Sequence, residues 1–461
     1  MTRAAALRSE YRWGRVPARA GWAFAWLLVF IALVYTNPSN LFPAIGDYGY
    51  AKMAAGVAIA ALVGSWLLMD RRLVLGGTIG LCLTLFFAGV ALSAIWSPAP
   101  SLTLRSFVEW VKYLAIFYLV ANVVDDRRRV AVLAVALAWA TVVPAVGTIH
   151  SWSRGEHLVE GDRAAWIGVF NNPNELAYYL AIGGAFALGA LALTRRRWLR
   201  FCYFGALILM ATALLLTQSR GGLMAAITVL GLTLLRSTDP KNRGALVAVG
   251  VVLLLALQFT PQKVWQRAST TFAYQQDASA QGRIDAWRTG LRMVAAHPLT
   301  GVGAGVFVLA WPEYAPGDAG EARTAHNTFV QVASETGLPG LGLFLGAVGV
   351  AFAGLQRVVR RRPDLERPAR TTQIGLVSFL VSSATGGLAY SWPLYLLLGL
   401  AAGMMRMERE ALDVPGDSAG EGVDPAGHPS VGREVEGRPE ATRPGVVRPV
   451  LPGWVKSSPA R

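Results

Sequence analysis

The feature that most constrains this chain is a set of long apolar stretches without charge. Residues 73–96 contain no charged side chain, and a membrane-spanning helix needs ~20 predominantly apolar residues. A soluble protein of this size would instead distribute its apolar residues with a period of 3.6 or 2. The chain is 54% hydrophobic and only 15% charged, whereas soluble domains carry about a quarter charged residues. These observations predict an all-α integral membrane protein.

The distribution of Lys and Arg predicts how the chain crosses the membrane. About 12 transmembrane helices are predicted, at residues 21–36, 49–69, 73–96, 106–123, 130–149, 175–194, 199–217, 221–235, 244–259, 338–356, 371–389 and 391–406. The N-terminus and every second segment after it are basic and hold 25 Lys and Arg residues. The short segments of the opposite set hold four, which are Arg105, Arg154, Arg163 and Arg220. Because cytoplasmic loops are the basic ones, both termini are predicted to be cytoplasmic.

Topology also accounts for the net charge of +15. In a soluble protein this charge would suggest a nucleic-acid partner, but none is predicted here.

The first span follows a basic stretch, as a signal peptide does. Its removal would place one terminus outside, so we expect it to be retained. The predicted parts are a basic cytoplasmic N-terminus (1–20), spans one to nine (21–259), one large periplasmic loop with interfacial helices (260–337), spans ten to twelve (338–407) and a disordered cytoplasmic tail (408–461).

Arg220 lies in a tight turn, residues 218–222, at the predicted outer end of the eighth span. Two glycines follow it and would let a ligand approach the backbone. The alternative is an arginine that anchors the helix at the membrane interface. Both interpretations stay open on the sequence of this turn alone.

Two further arginines lie in the predicted large loop. On a helical wheel, Arg283 and Arg288 fall on the two borders of one apolar stripe. The stripe consists of Ile284, Trp287, Leu291 and Val294. This layout is typical of a helix at the membrane surface. The arginines would bind either the phosphates of membrane lipid or the phosphate of a substrate, and composition does not separate the two.

The rest of the loop contains a glycine-rich segment and a histidine. Residues 298–307 resemble a phosphate-binding loop, but no strand precedes them and no Gly-Lys-Ser/Thr follows, so they are predicted to form a turn. His326 follows on the predicted outer side. Glu335 is half a helical turn out of phase with it and is not expected to orient it. Residues 337–340 (Gly-Leu-Pro-Gly) are predicted to break the helix and start the tenth span.

Polar residues also open two predicted spans. Asn172, Pro173 and Glu175 have the spacing of a helix cap; a structural role is favoured for Asn172 and Asn174, with a substrate contact as the second choice. Glu109 and Lys112 lie three residues apart in the fourth span and are expected to pair. The scattered histidines lack ligand spacing, so no metal and no cofactor are predicted.

In their order, these motifs resemble the O-antigen ligase and polymerase superfamily of bacterial membrane glycosyltransferases. The matching motifs are Ser-Arg-Gly at 219–221, Gly-Arg-x-x-x-Trp at 282–287, the glycine-rich segment at 298–307, His-Asn at 326–327 with Glu-x-Gly at 335–337, and Asn-Pro-Asn at 172–174. The resemblance implies transfer of a glycan from an undecaprenyl-diphosphate carrier to an acceptor at the periplasmic face of the bacterial inner membrane, without metal.

The resemblance also implies roles for single residues. Arg220 and Arg283 would bind the diphosphate, and His326 would act at the reacting centre. A guanidinium group stabilises phosphate charge bidentately. A neutral imidazole accepts a proton from the attacking hydroxyl, and nearby arginines lower its pKa. Arg288, added from the helical wheel, is expected to contact substrate, as are Asn172, Asn174 and Asn327.

Within the superfamily we favour the ligase of lipopolysaccharide biosynthesis, whose acceptor is the lipid A–core oligosaccharide. Polymerases of this kind tend to have two large basic external loops, and only one is predicted here. The alternatives are such a polymerase or a protein O-oligosaccharyltransferase. A transporter or flippase of anionic lipid is the alternative from another class. It is disfavoured because no internal repeat is found and the notable residues gather at one side of the membrane.

Overall fold

The structure is a computed structural model and describes residues 21–46, 48–68, 73–237, 278–317 and 319–413, with residues 243, 244, 247 and 250 in addition. The N-terminal 20 residues, most of the predicted ninth span, the first part of the predicted large loop and almost all of the predicted tail lie outside these ranges.

The apolar stretches form helices, as predicted. In chain order the α-helices of the described residues are α1 Gly21–Thr36, α2 Pro38–Leu41, α3 Tyr50–Leu68, α4 Gly77–Leu92, α5 Pro100–Val123, α6 Arg127–Ala140, α7 Val142–Ser153, α8 Pro173–Leu193, α9 Arg197–Leu216, α10 Arg220–Arg236, α11 Ala278–Ala296, α12 Phe307–Tyr314, α13 Thr328–Arg361, α14 Glu366–Ser383 and α15 Trp392–Asp413. Between α7 and α8, a small antiparallel pair joins β1 Leu158–Val159 to β2 Arg163–Ala164.

Eight helical stretches of the described residues are long and apolar enough to cross a membrane, as judged by length and composition. They are Gly21–Leu41, Tyr50–Leu68, Gly77–Ile95, Pro100–Val123, Arg127–Ser153, Pro173–Leu193, Arg197–Leu216 and Thr328–Arg361. The predicted class of all-α integral membrane protein is thereby confirmed. Helices α10, α14 and α15 coincide with further predicted spans, and the predicted ninth span lies mostly outside the described residues. A total of about 12 spans stays a prediction.

The predicted fifth span consists of two helices rather than one. Helices α6 and α7 meet at Thr141. Pro144 lies at the third position of α7, and a proline ring clashes with the carbonyl group four residues before it, which here belongs to Ala140. The Thr141 hydroxyl donates to the carbonyl of Leu137 at 2.7 Å. The continuous apolar stretch is therefore interrupted in its middle.

The described part of the predicted large loop is mostly helical. It contains α11, α12 and the first nine residues of α13, up to Thr336. Gly337 has φ 72° and ψ 179°, which are not helical values, and the helix resumes at Leu338. The predicted break at residues 337–340 is therefore confirmed, with Gly337 as its hinge.

The predicted boundary of the tail at residue 408 is wrong. Helix α15 continues to Asp413, because its last turns pack against the end of α13. Glu408 is buried, and its carboxylate accepts a hydrogen bond from the guanidinium group of Arg361 at 3.1 Å. A buried carboxylate with a cationic partner belongs to a folded segment, not to a disordered one.

Candidate active site

The turn that carries Arg220 is built by local hydrogen bonds. Gln218 has a left-handed backbone with φ 53°, and Ser219 caps α10 by accepting a hydrogen bond from the N–H of Gly222 at 3.2 Å. Arg220 is the first residue of the helix and is half-buried. A side chain at Gly221 would collide with the hydroxyl of Thr385. The glycine thus lets this turn lie directly against the segment between α14 and α15.

The first turn of α13 contacts the same segment. The Asn327 carboxamide oxygen accepts from the N–H groups of Phe329 and Val330, at 2.9 and 3.1 Å. Its amide nitrogen donates to the carbonyl of Ala384 at 3.2 Å. His326, which precedes this cap, and Arg220 therefore flank neighbouring parts of one connecting segment. Asn327 caps and anchors a helix, and its predicted substrate contact stays a prediction.

A second joint fixes α13 to this segment. The Thr328 hydroxyl donates to the carbonyl of Gly386 at 2.7 Å and accepts from the N–H of Leu388 at 2.8 Å. Thr328 is fully buried. Both partners are main-chain atoms, so the start of α13 is positioned by backbone geometry.

His326 occupies an unusual position at this joint. Its backbone is left-handed, with φ 46°, and the imidazole is half-buried, with Nε2 3.4 Å from the hydroxyl of Thr324. Burial lowers the pKa of His326 below the ordinary 6.5, and the charges of Arg283 and Arg323 lower it further, whereas Glu160 raises it. The predicted effect of Arg283 is found, although burial is the larger cause. The result favours a neutral imidazole at neutral pH.

Two arginines from the α11 region reach the surroundings of His326. The charge of Arg283, in the helix α11 that packs on α13, lowers the pKa of His326. A side chain at Gly282 would collide with the guanidinium group of Arg323. Arg323 therefore lies across α11 beside Arg283. Arg323 was missed in the sequence analysis. The only local sign that its guanidinium group packs on α11 is that residue 282 is a glycine.

Arg288 has a partner in its own helix. It is 58% exposed, and its guanidinium group lies 3.8 Å from the carboxylate of Asp285. Its predicted contact with substrate stays a prediction. The face of α11 that is buried in the protein consists of Gly282, Ala286, Thr289, Gly290 and Met293. It packs on α12 and α13, where a side chain at Gly290 would collide with Phe307 and Val330. Leu291 of the predicted membrane-facing stripe is exposed, and the position of α11 at the membrane surface stays a prediction.

The predicted cap of α8 is confirmed. The Asn172 carboxamide oxygen accepts from the N–H groups of Asn174 and Glu175, at 2.9 and 3.4 Å, with Pro173 in the first turn. Asn174 faces a different partner, since its side-chain oxygen accepts from Arg163 at 2.7 Å. Both asparagines thus have structural partners, and their contacts with substrate stay predictions.

Arg163 joins three segments of the site and was missed as a site residue. Its side chain is 4% exposed. Nε donates to the carbonyl of Thr217 at 3.0 Å, Nη1 to the carboxylate of Glu160 at 2.9 Å, and Nη2 to Asn174. It therefore ties the β1–β2 turn to the start of α8 and to the turn before Arg220. In the sequence analysis Arg163 was counted only among the basic residues that predict the topology.

The glycine-rich segment forms a turn, as predicted, and is hydrogen-bonded to α13. Gly301, Gly303 and Gly305 have φ of 67°, 109° and 77°. The N–H of Val302 donates to the carbonyl of Ser334 and that of Gly303 to the carbonyl of Glu335, at 2.8 and 3.1 Å. The Glu335 side chain is buried and accepts from Gln331 at 3.5 Å. Within the described ranges, no group of three or more His, Cys, Asp and Glu residues is placed to hold a metal ion.

Comparison with known proteins places these residues in a family context. Residues 205–345 match the O-antigen ligase family, and this range contains Arg220, Arg283, Arg323 and His326. The exopolysaccharide production protein ExoQ of Rhizobium meliloti is 27% identical over 366 residues, which cover 69% of this chain and 76% of the relative. Both findings confirm the resemblance predicted from the motifs, and the chain is identified as a membrane protein similar to the O-antigen ligase and polymerase superfamily.

Proposed function

We propose that this protein is a glycosyltransferase of the bacterial inner membrane that takes its glycan from an undecaprenyl-diphosphate carrier on the periplasmic face. One observation carries the proposal. The charges of Arg283 and Arg323 lower the pKa of His326, and the turn of Arg220 packs against the same segment that Asn327 contacts. All four residues, Arg220, Arg283, Arg323 and His326, lie in the range that matches the O-antigen ligase family. The proposal includes the predicted topology, with residues 260–337 periplasmic and both termini cytoplasmic.

The arginines fit a diphosphate leaving group. As the glycosidic bond breaks, negative charge grows on the diphosphate, and donors fixed in advance stabilise such charge most effectively. Guanidinium groups bind phosphate oxygens bidentately and keep their charge at all working pH values. Arg220 and Arg283 bind the diphosphate in this proposal, and Arg323 adds a third positive charge.

His326 serves as the base. The hydroxyl oxygen of the acceptor forms a bond to the anomeric carbon of the donor glycan. The bond from that carbon to the carrier phosphate breaks, and its electron pair leaves with the diphosphate. The hydroxyl proton passes to the imidazole of His326, which burial and two neighbouring cations keep ready to accept it.

Two acceptors are considered. A ligase would use the lipid A–core oligosaccharide, which we favour because only one large external loop is predicted. A polymerase would use a second carrier-linked glycan. The similarity to a protein named for exopolysaccharide production supports this second candidate.

One experiment tests the function and separates the candidates. The purified protein in lipid nanodiscs is given carrier-linked glycan with either lipid A–core or further carrier-linked glycan, without nucleotide and with chelator. We expect one transferred glycan and released undecaprenyl diphosphate with lipid A–core. A ladder of lengthened carrier-linked glycans would identify the polymerase instead. No product with either acceptor, combined with lipid movement in proteoliposomes, would replace the transferase by a transporter.

A further inference from the structure

A second group of charged residues lies outside the active site, on α5 and α3. Arg105, Glu109 and Lys112 recur four and three residues apart and so share one face of α5. The Lys112 ammonium group lies 3.0 Å from the Glu109 carboxylate, as predicted. The charges of Arg105 and of Lys52 in the first turn of α3 both act on Glu109. We call these four residues, three cations and one anion, the α5 cation surface.

The α5 cation surface is open although it belongs to apolar helices. The Lys112 and Glu109 side chains are 44% and 59% exposed, and Lys52 and Arg105 are exposed as well. Both helices are long and apolar enough to cross a membrane. Charged side chains inside a membrane span are costly in contact with hydrocarbon, and they face water or polar groups instead. The surface must therefore meet a hydrated space or lipid headgroups.

The surface adjoins the candidate site through neighbouring residues of α5. A side chain at Gly305 of the glycine-rich turn would collide with Ser106 of α5. The ring of Trp110 on α5 stacks on that of Tyr390 with centroids 3.5 Å apart, and Tyr390 lies in the segment between α14 and α15 that Asn327 contacts. A headgroup bound at the α5 cation surface is thus a near neighbour of a donor bound at the arginines.

We propose that the α5 cation surface binds the phosphate-bearing headgroup of the lipid-borne acceptor. The inference rests on the proposed function, which brings two anionic lipids together. Two such headgroups repel each other at short range, so each needs its own cations. The arginines beside His326 serve the donor, and Lys52, Arg105 and Lys112 serve the acceptor. Both candidate acceptors, lipid A–core and carrier-linked glycan, carry phosphate on a lipid.

Because Glu109 is the one anion of the surface, the proposal predicts opposite effects on lipid binding for its removal and for removal of the cations. In the unliganded protein Glu109 pairs with Lys112 and competes with an incoming phosphate for the same ammonium group. Removing its charge should strengthen binding of anionic lipid, whereas removing the cations should weaken it. If the ion pair is purely structural, both changes should instead lower the stability of the protein and leave the binding of anionic lipid unchanged.

The first measurement needs no transferase activity. Spin-labelled phosphatidic acid and phosphatidylcholine are compared for immobilisation by the protein in phosphatidylcholine nanodiscs. The double variant Arg105→Gln/Lys112→Gln should lose selectivity for phosphatidic acid by about tenfold, and Glu109→Gln should gain about threefold, as expected for cations and anions near lipid headgroups. Arg154→Gln removes another exposed arginine on the predicted outer side and should change nothing. Unchanged selectivity in the double variant, or a loss in Glu109→Gln, would overturn the proposal.

The second measurement assigns the lipid to acceptor or donor. In the transfer assay, the double variant should raise KM for the acceptor about tenfold and leave kcat and the KM for the donor unchanged. An equal rise in the donor KM would show that the surface serves the donor, against the proposal. If the wild-type protein transfers nothing, the proposed function fails, and the spin-label comparison still decides whether the surface selects anionic lipid.

Discussion

At the scale of single residues, His326 combines a strained backbone with a side chain suited to accept a proton. A left-handed backbone costs a non-glycine residue roughly 1–2 kcal/mol, and here it is held by the cap of Asn327 on α13. Asparagine tolerates this conformation better than most residues. The variant His326→Asn therefore removes the base and keeps the backbone.

We expect His326→Asn to lower the transfer rate by about 10²–10⁴-fold, the usual contribution of a general base. Affinity for the carrier-linked donor and the melting temperature should hold, because the arginines and the helix cap are untouched. Transfer is measured under single-turnover conditions and donor binding by titration in nanodiscs. Wild-type transfer in this variant would remove His326 from the mechanism.

Arg323 should contribute to the pH dependence of the reaction. Its charge lowers the pKa of His326, so Arg323→Gln should raise that pKa and leave less neutral imidazole at a given acidic pH. The acid limb of the pH profile of kcat/KM should therefore move to higher pH. Arg154→Gln serves as the control and should leave the profile in place. A shift to lower pH, or none, would show that Arg323 does not act on the base.

The two diphosphate-binding arginines should matter far more than the exposed one. Arg220→Ala and Arg283→Ala should each reduce transfer by about 10²–10³-fold, the loss seen when one preorganised electrostatic group is removed. Arg288→Ala should cost less, because Arg288 is exposed and paired with Asp285. Transfer rates are compared at equal amounts of folded protein. Equal losses in all three variants would contradict the smaller role expected of Arg288.

At the scale of elements, the turn before α10 and the start of α8 are held together by Arg163. Arg163→Ala would leave the buried Thr217 carbonyl and the Asn174 side chain without this donor, at a cost of about 1–3 kcal/mol. We expect a lower melting temperature and a loss of transfer together, unlike Arg220→Ala. Glu160→Gln, at the exposed partner, should change stability little. Normal stability in Arg163→Ala would show that the three segments assemble without it.

Local sequence patterns predicted the helix caps, breaks and turns better than the contacts between distant segments. The cap at Asn172, the break at Gly337 and the turn at residues 298–307 follow from side-chain and backbone preferences within a few residues. The buried face of α11 does not, because α12 and α13 select it. Arg163 and Thr217 are separated by 54 residues, and no spacing rule connects them. The sequence therefore pointed to Arg220, Arg283 and His326, whose roles stay predictions, and not to Arg163 or Arg323.

At the scale of the whole molecule, the placement of the site rests on the predicted topology. In a variant whose native Cys82 and Cys202 are replaced by alanine, single cysteines are introduced at Gly317 and Gly420. A side chain at Gly317 would meet open space. We expect an impermeant thiol reagent to label position 317 from outside intact inner-membrane spheroplasts and position 420 only after lysis. The reverse pattern would move the candidate site to the cytoplasmic face.

The joint at Thr328 has a consequence for which substitutions this protein can accept. Its partners are the carbonyl of Gly386 and the N–H of Leu388, atoms that nearly every amino acid supplies. The hydrogen bonds themselves therefore make no demand on the side chains at positions 386 and 388, but a side chain at Gly386 would collide with the ring of Tyr178. Under the proposed function, libraries that seek new acceptors should therefore vary the exposed residues of α3 and α5 and spare Thr328 and Gly386.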